Sequence, residues 1–193
     1  VFPTNIAAIA PEETASMSGT LFGKIDQIGY LVEDLDASVR RWIERTGVGP
    51  WTVFRNVSLV GKYRGEPTIV TIDCALGYQG DVQIELIQTT NQAHSPYLDA
   101  AGARILGAHH VAWVVESRDA AVAEAQKRGL TVAFEAENPT TRVAYMEDRA
   151  EPGVLFEIIE GAFMRTMIDD GIVASRDWDG SNPVTVIDLA AAA

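Results

Sequence analysis

Short stretches of alternating hydrophobic and polar residues, some giving way to apolar runs, recur along most of this chain. Such stretches are typical of β-strands that bury one or both faces. Strand patterns at residues 24–32 and 109–116 are each followed by a segment whose apolar residues recur at helical spacing. Three further strand patterns follow each helix pattern: 51–60, 67–76 and 81–88 in the first half, and 131–136, 141–148 and 153–160 in the second. The chain is therefore predicted to have the element order βαβββ twice.

Residues that favour helix ends flank both helix patterns. Asp34 and Asp36 open the first, and Gly47 follows it. Ser117 is predicted to cap the second, and Gly129 to end it. Short polar side chains accept hydrogen bonds from the first free N–H groups of a helix, and glycine adopts the left-handed conformation that often ends one.

The two halves also match residue by residue where they begin. Residues 25–39 (IDQIGYLVEDLDASV) align without a gap with residues 108–122 (AHHVAWVVESRDAAV), which pairs Gln27 with His110. An internal repeat of this length indicates two copies of one supersecondary unit.

The last strand patterns of the two halves match as well. Residues 82–88 (VQIELIQ) align with residues 154–160 (VLFEIIE), which pairs Glu85 with Glu157. Both glutamates stand in mid-strand among apolar residues, where an unpaired carboxylate is costly. Few Lys or Arg residues lie nearby in the sequence, and one divalent cation would neutralise both charges.

The repeat predicts how the chain is divided. We expect a flexible N-terminal arm at 1–22, two βαβββ modules at 23–90 and 107–161, a connection at 91–106, and a C-terminal extension at 162–193. The extension contains apolar residues at helical spacing from Phe163 onwards, with Gly171 as the predicted end of that helix. Such a helix would pack on the sheet or cover the site.

Strand periodicity places the polar residues of the repeat beside small ones. Residues two apart share a face of a strand, so Gln27 lies beside Gly29 and His110 beside Ala112. These small neighbours would leave room for a cup instead of filling a core. His109 is expected on the opposite face, with no part in the site.

Composition excludes several classes of partner. The formal net charge of −12 disfavours nucleic acid and anionic membranes, which bind to basic patches. No apolar run is long enough to span a membrane, and residues 1–20 lack the basic start of a signal peptide. Cys74 is the only cysteine, so it is expected to fill the core of a cytoplasmic protein.

The strand starts DQIGY and HHVAW and the strand ends IELI and FEII resemble the vicinal-oxygen-chelate superfamily, in particular its glyoxalase and methylmalonyl-CoA epimerase-like group. The resemblance covers residues 22–161. It implies an α+β fold in which two tandem βαβββ modules form a cup-shaped mixed sheet around a metal. Carried over by position, the metal ligands are Gln27, Glu85, His110 and Glu157. Epimerases of this group usually have His at the first position, whereas eukaryotic-type glyoxalase I has the order Gln, Glu, His, Glu.

The resemblance further implies a metal-dependent isomerase, epimerase or racemase that moves a proton at the carbon α to a carbonyl or thioester. The donor types suit Zn²⁺, Ni²⁺, Co²⁺ or Mn²⁺. Glu157 is the first candidate for the base, Glu85 is its symmetry mate for the opposite face of the substrate, and Glu66 is a third candidate acid. A small carbonyl compound is the expected partner, and a homodimer the expected assembly.

Two other functions stay open at this point. One is a glyoxalase I-like lyase acting on a hemithioacetal of glutathione. The other is a metal-free protein that sequesters an apolar ligand and pairs Glu85 and Glu157 with Arg side chains. An extradiol dioxygenase fits less well, because that class binds iron through two His and one carboxylate, and only His110 is available here.

Overall fold

The computed structural model describes residues 20–190, so most of the arm predicted at 1–22 lies outside the described residues. These residues form nine strands and three helices: β1 (Gln27–Leu31), α1 (Leu35–Thr46), β2 (Trp51–Tyr63), β3 (Glu66–Gln79), β4 (Val82–Thr89), β5 (Gly107–Val114), α2 (Arg118–Lys127), β6 (Thr131–Glu137), β7 (Arg142–Glu147), β8 (Leu155–Glu160), α3 (Met164–Arg176) and β9 (Val184–Asp188). The two predicted βαβββ units are present in order, followed by one helix and one strand.

Eight of the strands form a curved sheet that closes on itself. Neighbouring strands follow the order β3-β4-β1-β5-β8-β7-β6-β2, and β2 also pairs with β3. Each module contributes the same arrangement, with its first strand parallel to its last strand. The modules meet through the antiparallel pair β1 and β5, and again through β2 and β6. The predicted cup-shaped α+β fold is confirmed, and its sheet closes into a barrel-like cup.

Both module helices begin where the sequence predicts. Asp34 accepts a hydrogen bond from the backbone N–H of Ala37 at 2.9 Å, and Ser117 accepts one from that of Ala120 at 3.3 Å. The backbone N–H of Gly47 bonds the carbonyl of Ile43 and ends α1. Side chains of α1 pack on the sheet in a core cluster of buried residues: Leu35, Val39, Val48, Trp51, Val53, Ala75, Ile84 and Leu86.

The C-terminal extension packs on the sheet, but the predicted end of its helix at Gly171 is wrong. Helix α3 continues to Arg176, and Gly171 lies against the ring of Tyr78, where any Cβ atom would collide with that ring. A glycine at this position therefore allows α3 to approach the sheet closely. Beyond α3, β9 pairs in parallel with the first residues of β2.

An ion pair ties α3 to the first strand of the cup. The guanidinium of Arg165 donates to both carboxylate oxygens of Asp26, at 2.7 and 2.9 Å. Although burial opposes ionisation, these hydrogen bonds and one from the backbone of Val114 hold the pKa of Asp26 below its usual value. Because Asp26 is almost fully buried, this pair fixes where the extension lies. No helix among residues 20–190 is long and apolar enough to cross a membrane.

Candidate metal centre

Four neighbouring strands at the centre of the sheet carry the four predicted ligands. Gln27 lies on β1, Glu85 on β4, His110 on β5 and Glu157 on β8. These strands are adjacent in the order β4-β1-β5-β8, so repeat-related positions become spatial neighbours. The junction between β1 and β5 therefore brings the two modules' ligands into one cluster.

Three side-chain oxygens converge on one imidazole nitrogen. The Nε2 atom of His110 lies 3.2 Å from Oε1 of Gln27, 3.4 Å from Oε2 of Glu85 and 3.0 Å from Oε2 of Glu157. A single N–H points in one direction, and its geometry here satisfies only the amide oxygen of Gln27. Oε2 of Glu157 is consequently buried without a hydrogen-bond partner. A cation among these atoms would satisfy all of them, so the residues present fit a metal ion.

The cluster is short of positive charge. His110 and Glu157 are 1% and 4% exposed, and within residues 20–190 neither Glu85 nor Glu157 pairs with Lys or Arg. Burial disfavours the imidazolium, but the carboxylates of Glu157 and Glu85 outweigh burial and raise the pKa of His110 to about 9. Burial also raises the pKa of Glu85, against the opposing effect of His110. One imidazolium facing two carboxylates leaves a net negative charge that a divalent cation would offset.

Zinc affinity is expected to rise about tenfold per pH unit between about pH 6 and pH 8. The proton on His110 must leave before the ring can bind a metal, and the pKa of about 9 keeps it bound over this range. Competition with a chelator of known affinity measures the slope. His110→Gln provides the control, because its amide does not titrate and the slope should flatten. A zinc affinity that does not change with pH in the unmodified protein would exclude His110 as a ligand.

A chain of hydrogen bonds sets the orientation of the Gln27 amide. Its Nε2 donates to Oε1 of Gln83 at 2.7 Å, and Nε2 of Gln83 donates to the hydroxyl of Tyr78 at 2.7 Å. The Tyr78 hydroxyl in turn lies 3.3 Å from the carbonyl of Met167 on α3. With its amide nitrogen occupied, Gln27 must turn its oxygen towards His110. Sequence reasoning missed Gln83 because its module-two counterpart, Leu155, carries no polar group.

His109 also belongs to this centre, contrary to the expectation that it would lie on the opposite face. The pairing of β1 with β5 shifts between Gly29 and Tyr30, whose partners are His110 and Ala108, so His109 is the extra residue of a bulge. Its ring is buried, with Nδ1 3.0 Å from Nδ1 of His110. The doublet of adjacent histidines was the only signal in the sequence.

The contacts of His109 determine which nitrogen of His110 carries hydrogen. Nε2 of His109 lies 3.1 Å from the carbonyl of Pro96, which can only accept. Burial, together with the charge of His110, lowers the pKa of His109 to about 3, so its Nδ1 is an acceptor. His110 therefore donates through Nδ1, and in its neutral form the lone pair on Nε2 faces the three oxygens. Partners of this kind orient metal-binding histidines.

Replacing His109 with phenylalanine is expected to lower zinc affinity about 10–100-fold, as is usual when the partner of a metal-ligating histidine is lost. The ring shape is kept, but Nδ1 of His110 loses its acceptor. Titration with a zinc-sensitive dye measures the affinity, and His94→Phe is the matched control because His94 is exposed. Equal affinities of the two variants would contradict the orienting role of His109.

The cluster of candidate ligands lies beside a cavity of about 390 Å³. Gln27, Glu85 and Glu157 contribute to its lining, together with mostly apolar side chains from the sheet and from α3. The structure does not bring Glu66 to this cavity. Because β2 and β3 are longer than predicted, Glu66 is the first residue of β3, exposed beside the tight turn that follows β2.

Comparisons with known proteins agree with this architecture. Two of the solved structures that share the fold each have 20% sequence identity to this chain. A methylmalonyl-CoA epimerase from Mycobacterium tuberculosis has a TM-score of 0.51 over 77% of this chain and 94% of its own, and a hypothetical protein from Bacillus halodurans C-125 has a TM-score of 0.50 over 71% and 93%. No curated protein sequence matches the chain. Residues 26–145 match the family described as the Glyoxalase/Bleomycin resistance protein/Dioxygenase superfamily. The chain belongs to this superfamily, also known as the vicinal-oxygen-chelate superfamily.

Proposed function

We propose that this protein is a metal-dependent isomerase or epimerase that moves a proton at the carbon α to a carbonyl group. The observation that carries the proposal is the pair of carboxylates, Glu85 and Glu157, at repeat-related positions beside one imidazole in the wall of an apolar cavity. No Lys or Arg within residues 20–190 neutralises them. Two carboxylates without cationic partners would destabilise the fold, which argues against a purely structural role. One of the proteins that share the fold is an epimerase, so the fold accommodates this class of reaction.

Gln27, Glu85, His110 and Glu157 would hold the metal. One amide oxygen, one imidazole and two carboxylates suit Zn²⁺, Ni²⁺, Co²⁺ or Mn²⁺. Such an ion would supply Lewis acidity towards a substrate carbonyl oxygen.

In this proposal Glu157 is the base. Glu157 lines the cavity, and its Oε2, which faces His110, has no hydrogen-bond partner, so the carboxylate is available to accept a proton from the substrate carbon. Glu85 reaches the same cavity from β4, on the other side of β1 and β5. A proton taken by one carboxylate and replaced from the other face gives epimerisation, and return to a neighbouring carbon gives isomerisation.

A glyoxalase I-like lyase is the second candidate, because the donors Gln27, Glu85, His110 and Glu157 follow the order of eukaryotic-type glyoxalase I. No Lys or Arg within residues 20–190 lines the cavity, however, and glutathione carries two carboxylates. Formation of lactoylglutathione from methylglyoxal and glutathione would favour the lyase over the isomerase.

Metal binding tests the proposal and separates it from the metal-free alternative. The purified protein is expected to contain a divalent metal, or to bind one equivalent of Zn²⁺, Ni²⁺, Co²⁺ or Mn²⁺ after treatment with a chelator. Elemental analysis and calorimetry measure this. No bound metal and no affinity for any of the four ions would overturn the proposal.

The homodimer stays a prediction, which analytical ultracentrifugation tests.

A further inference from the structure

We infer that the substrate is an uncharged, largely apolar carbonyl compound, such as a cyclic or aromatic ketone, and not a CoA thioester or a compound with a free carboxylate. This inference rests on the proposed function and names the substrate class for the same site. It comes from the chemistry of the cavity walls, from the placement of the nearby cations and from the charge of the site.

Apart from the candidate metal ligands, the cavity walls offer a substrate mostly apolar contacts. Strands from both modules supply aliphatic side chains: Val57, Leu59, Ile72, Leu76, Val143 and Ile159. Burying such surface against a ligand stabilises the complex in proportion to the apolar area removed from water. A ligand with charged groups along its length would leave them without partners in this wall.

The arginines closest to the cavity in sequence are turned away from it and already paired. Phe54 lines the cavity, whereas Arg55 pairs with Asp73 at 2.9 Å and with Asp36 of α1. Successive side chains of a strand point to opposite faces, which explains this separation.

The second module repeats the arrangement. Val143 lines the cavity, and the preceding Arg142 pairs with Asp119 of α2 at 3.1 Å and with Glu160 at 3.3 Å. On α3, Met164 lines the cavity while Arg165 pairs with Asp26. None of these three cations is available to a substrate carboxylate or phosphate.

Charge also disfavours an anionic substrate. A divalent cation held by two carboxylates, a neutral imidazole and an amide gives a site with no net charge, which matches a neutral carbonyl group. The chain as a whole carries −12, which repels a polyanion such as CoA at long range. The other lining residues with polar groups are Cys74, Tyr97, Asn138, Thr140, Thr141 and Tyr145. The hydroxyls of Tyr97 and Tyr145 lie 3.2 Å apart and bond each other, and Oδ1 of Asn138 accepts from the backbone N–H groups of the two threonines.

The extension supplies an adaptable side of the cavity. Phe163, Met164 and Met167 line it from α3 and the residue before it. Methionine side chains adapt to ligands of different outline, and Phe163 is 75% exposed, so it can gain contact when a ligand enters. This side is thus suited to the apolar part of a ligand whose carbonyl end lies at Glu157.

Calorimetric titration of the zinc-loaded protein tests the inference with three probes: 2-tetralone, 2-tetralone bearing a carboxylate on its aromatic ring, and propionyl-CoA. We expect 2-tetralone to bind at least about tenfold more tightly than its carboxylated analogue, and propionyl-CoA to show no detectable binding. Propionyl-CoA binding as tightly as 2-tetralone would overturn the inference, as would equal binding of the two ketones.

A pair of variants ties this binding to the cavity. Phe163→Ala is expected to weaken 2-tetralone binding by about threefold to tenfold, as apolar contact is lost. Val173→Ala is the matched control, since Val173 is an exposed apolar residue of α3 outside the cavity lining. Equal binding by both variants would contradict the assignment of the site.

Hydrogen–deuterium exchange on the same probes separates this inference from the proposed function. Tight binding of 2-tetralone with no catalysed exchange of any of the three probes would refute the isomerase and support the class of ligand. Catalysed exchange of propionyl-CoA but not of 2-tetralone would support the isomerase and refute the substrate class.

Discussion

Replacing Glu157 with glutamine is expected to slow catalysed hydrogen–deuterium exchange at the carbon α of a substrate ketone by about 10²–10⁴-fold, the usual contribution of a positioned base. The amide is nearly isosteric and retains an oxygen for the metal, so zinc binding should weaken without being lost. The fold should survive, because the change removes one of two negative charges that face a single imidazolium. Proton NMR of the ketone in D₂O follows the exchange, and thermal unfolding of the metal-free variant checks the fold.

Two further glutamate variants show whether the effect belongs to the proposed base. Glu85→Gln should slow exchange to a similar degree if both faces of the substrate are used, and should mainly weaken zinc binding if one face is used. Glu66→Gln should stay within a few-fold of the unmodified protein, because Glu66 is exposed and outside the cavity. An exchange rate of Glu157→Gln within a few-fold of the unmodified rate would exclude Glu157 as the base.

Gly29→Ala is expected to lower zinc affinity by at least about 100-fold and the free energy of unfolding by about 1–3 kcal/mol. A Cβ atom at this position would overlap the imidazole of His110, so the ring must leave the three oxygens it faces. Zinc titration and chemical denaturation of the metal-free protein measure the two effects.

Gly77→Ala is the matched control for this overlap. A Cβ atom there would lie 2.8 Å from the indole of Trp51, in a different core cluster. Stability should fall by a similar amount while zinc affinity is kept. If Gly29→Ala also kept its zinc affinity, the space left by Gly29 would not be required for His110 to face the three oxygens.

The repeat makes the order of elements in the two modules predictable, together with the matched pairs of polar residues. Side-chain alternation fixes which residues of a strand share a face, whereas the pairing of β1 with β5 is seen only in the structure. The repeat alone pairs Gln27 with His110 and Glu85 with Glu157, and the resemblance to the vicinal-oxygen-chelate superfamily implies that the four meet at one site. The capping residues Asp34 and Ser117 are equally predictable, because helix capping depends on local sequence.

Features that depend on contacts between distant segments are not predictable in this way. His109 joins the site through a bulge, which strict alternation along β5 cannot reveal. The local pattern favours Gly171 as a helix end, but this glycine meets the ring of Tyr78, a residue from another part of the chain. The closure of the cup by β2 and β6 and the hydrogen bond from Gln83 to Tyr78 are likewise set by the fold and leave no periodic signal.

Metal-dependent exchange by the unmodified protein is the decisive measurement for the proposed isomerase. The protein would be incubated in D₂O with a panel of carbonyl compounds, without treatment, after removal of metal with a chelator, and after zinc or nickel is added back. We expect exchange at the carbon α of at least one compound, its loss with the chelator, and its return with the metal. Exchange that persists at an unchanged rate in metal-free protein, or no exchange of any compound by the metal-loaded protein, would contradict it.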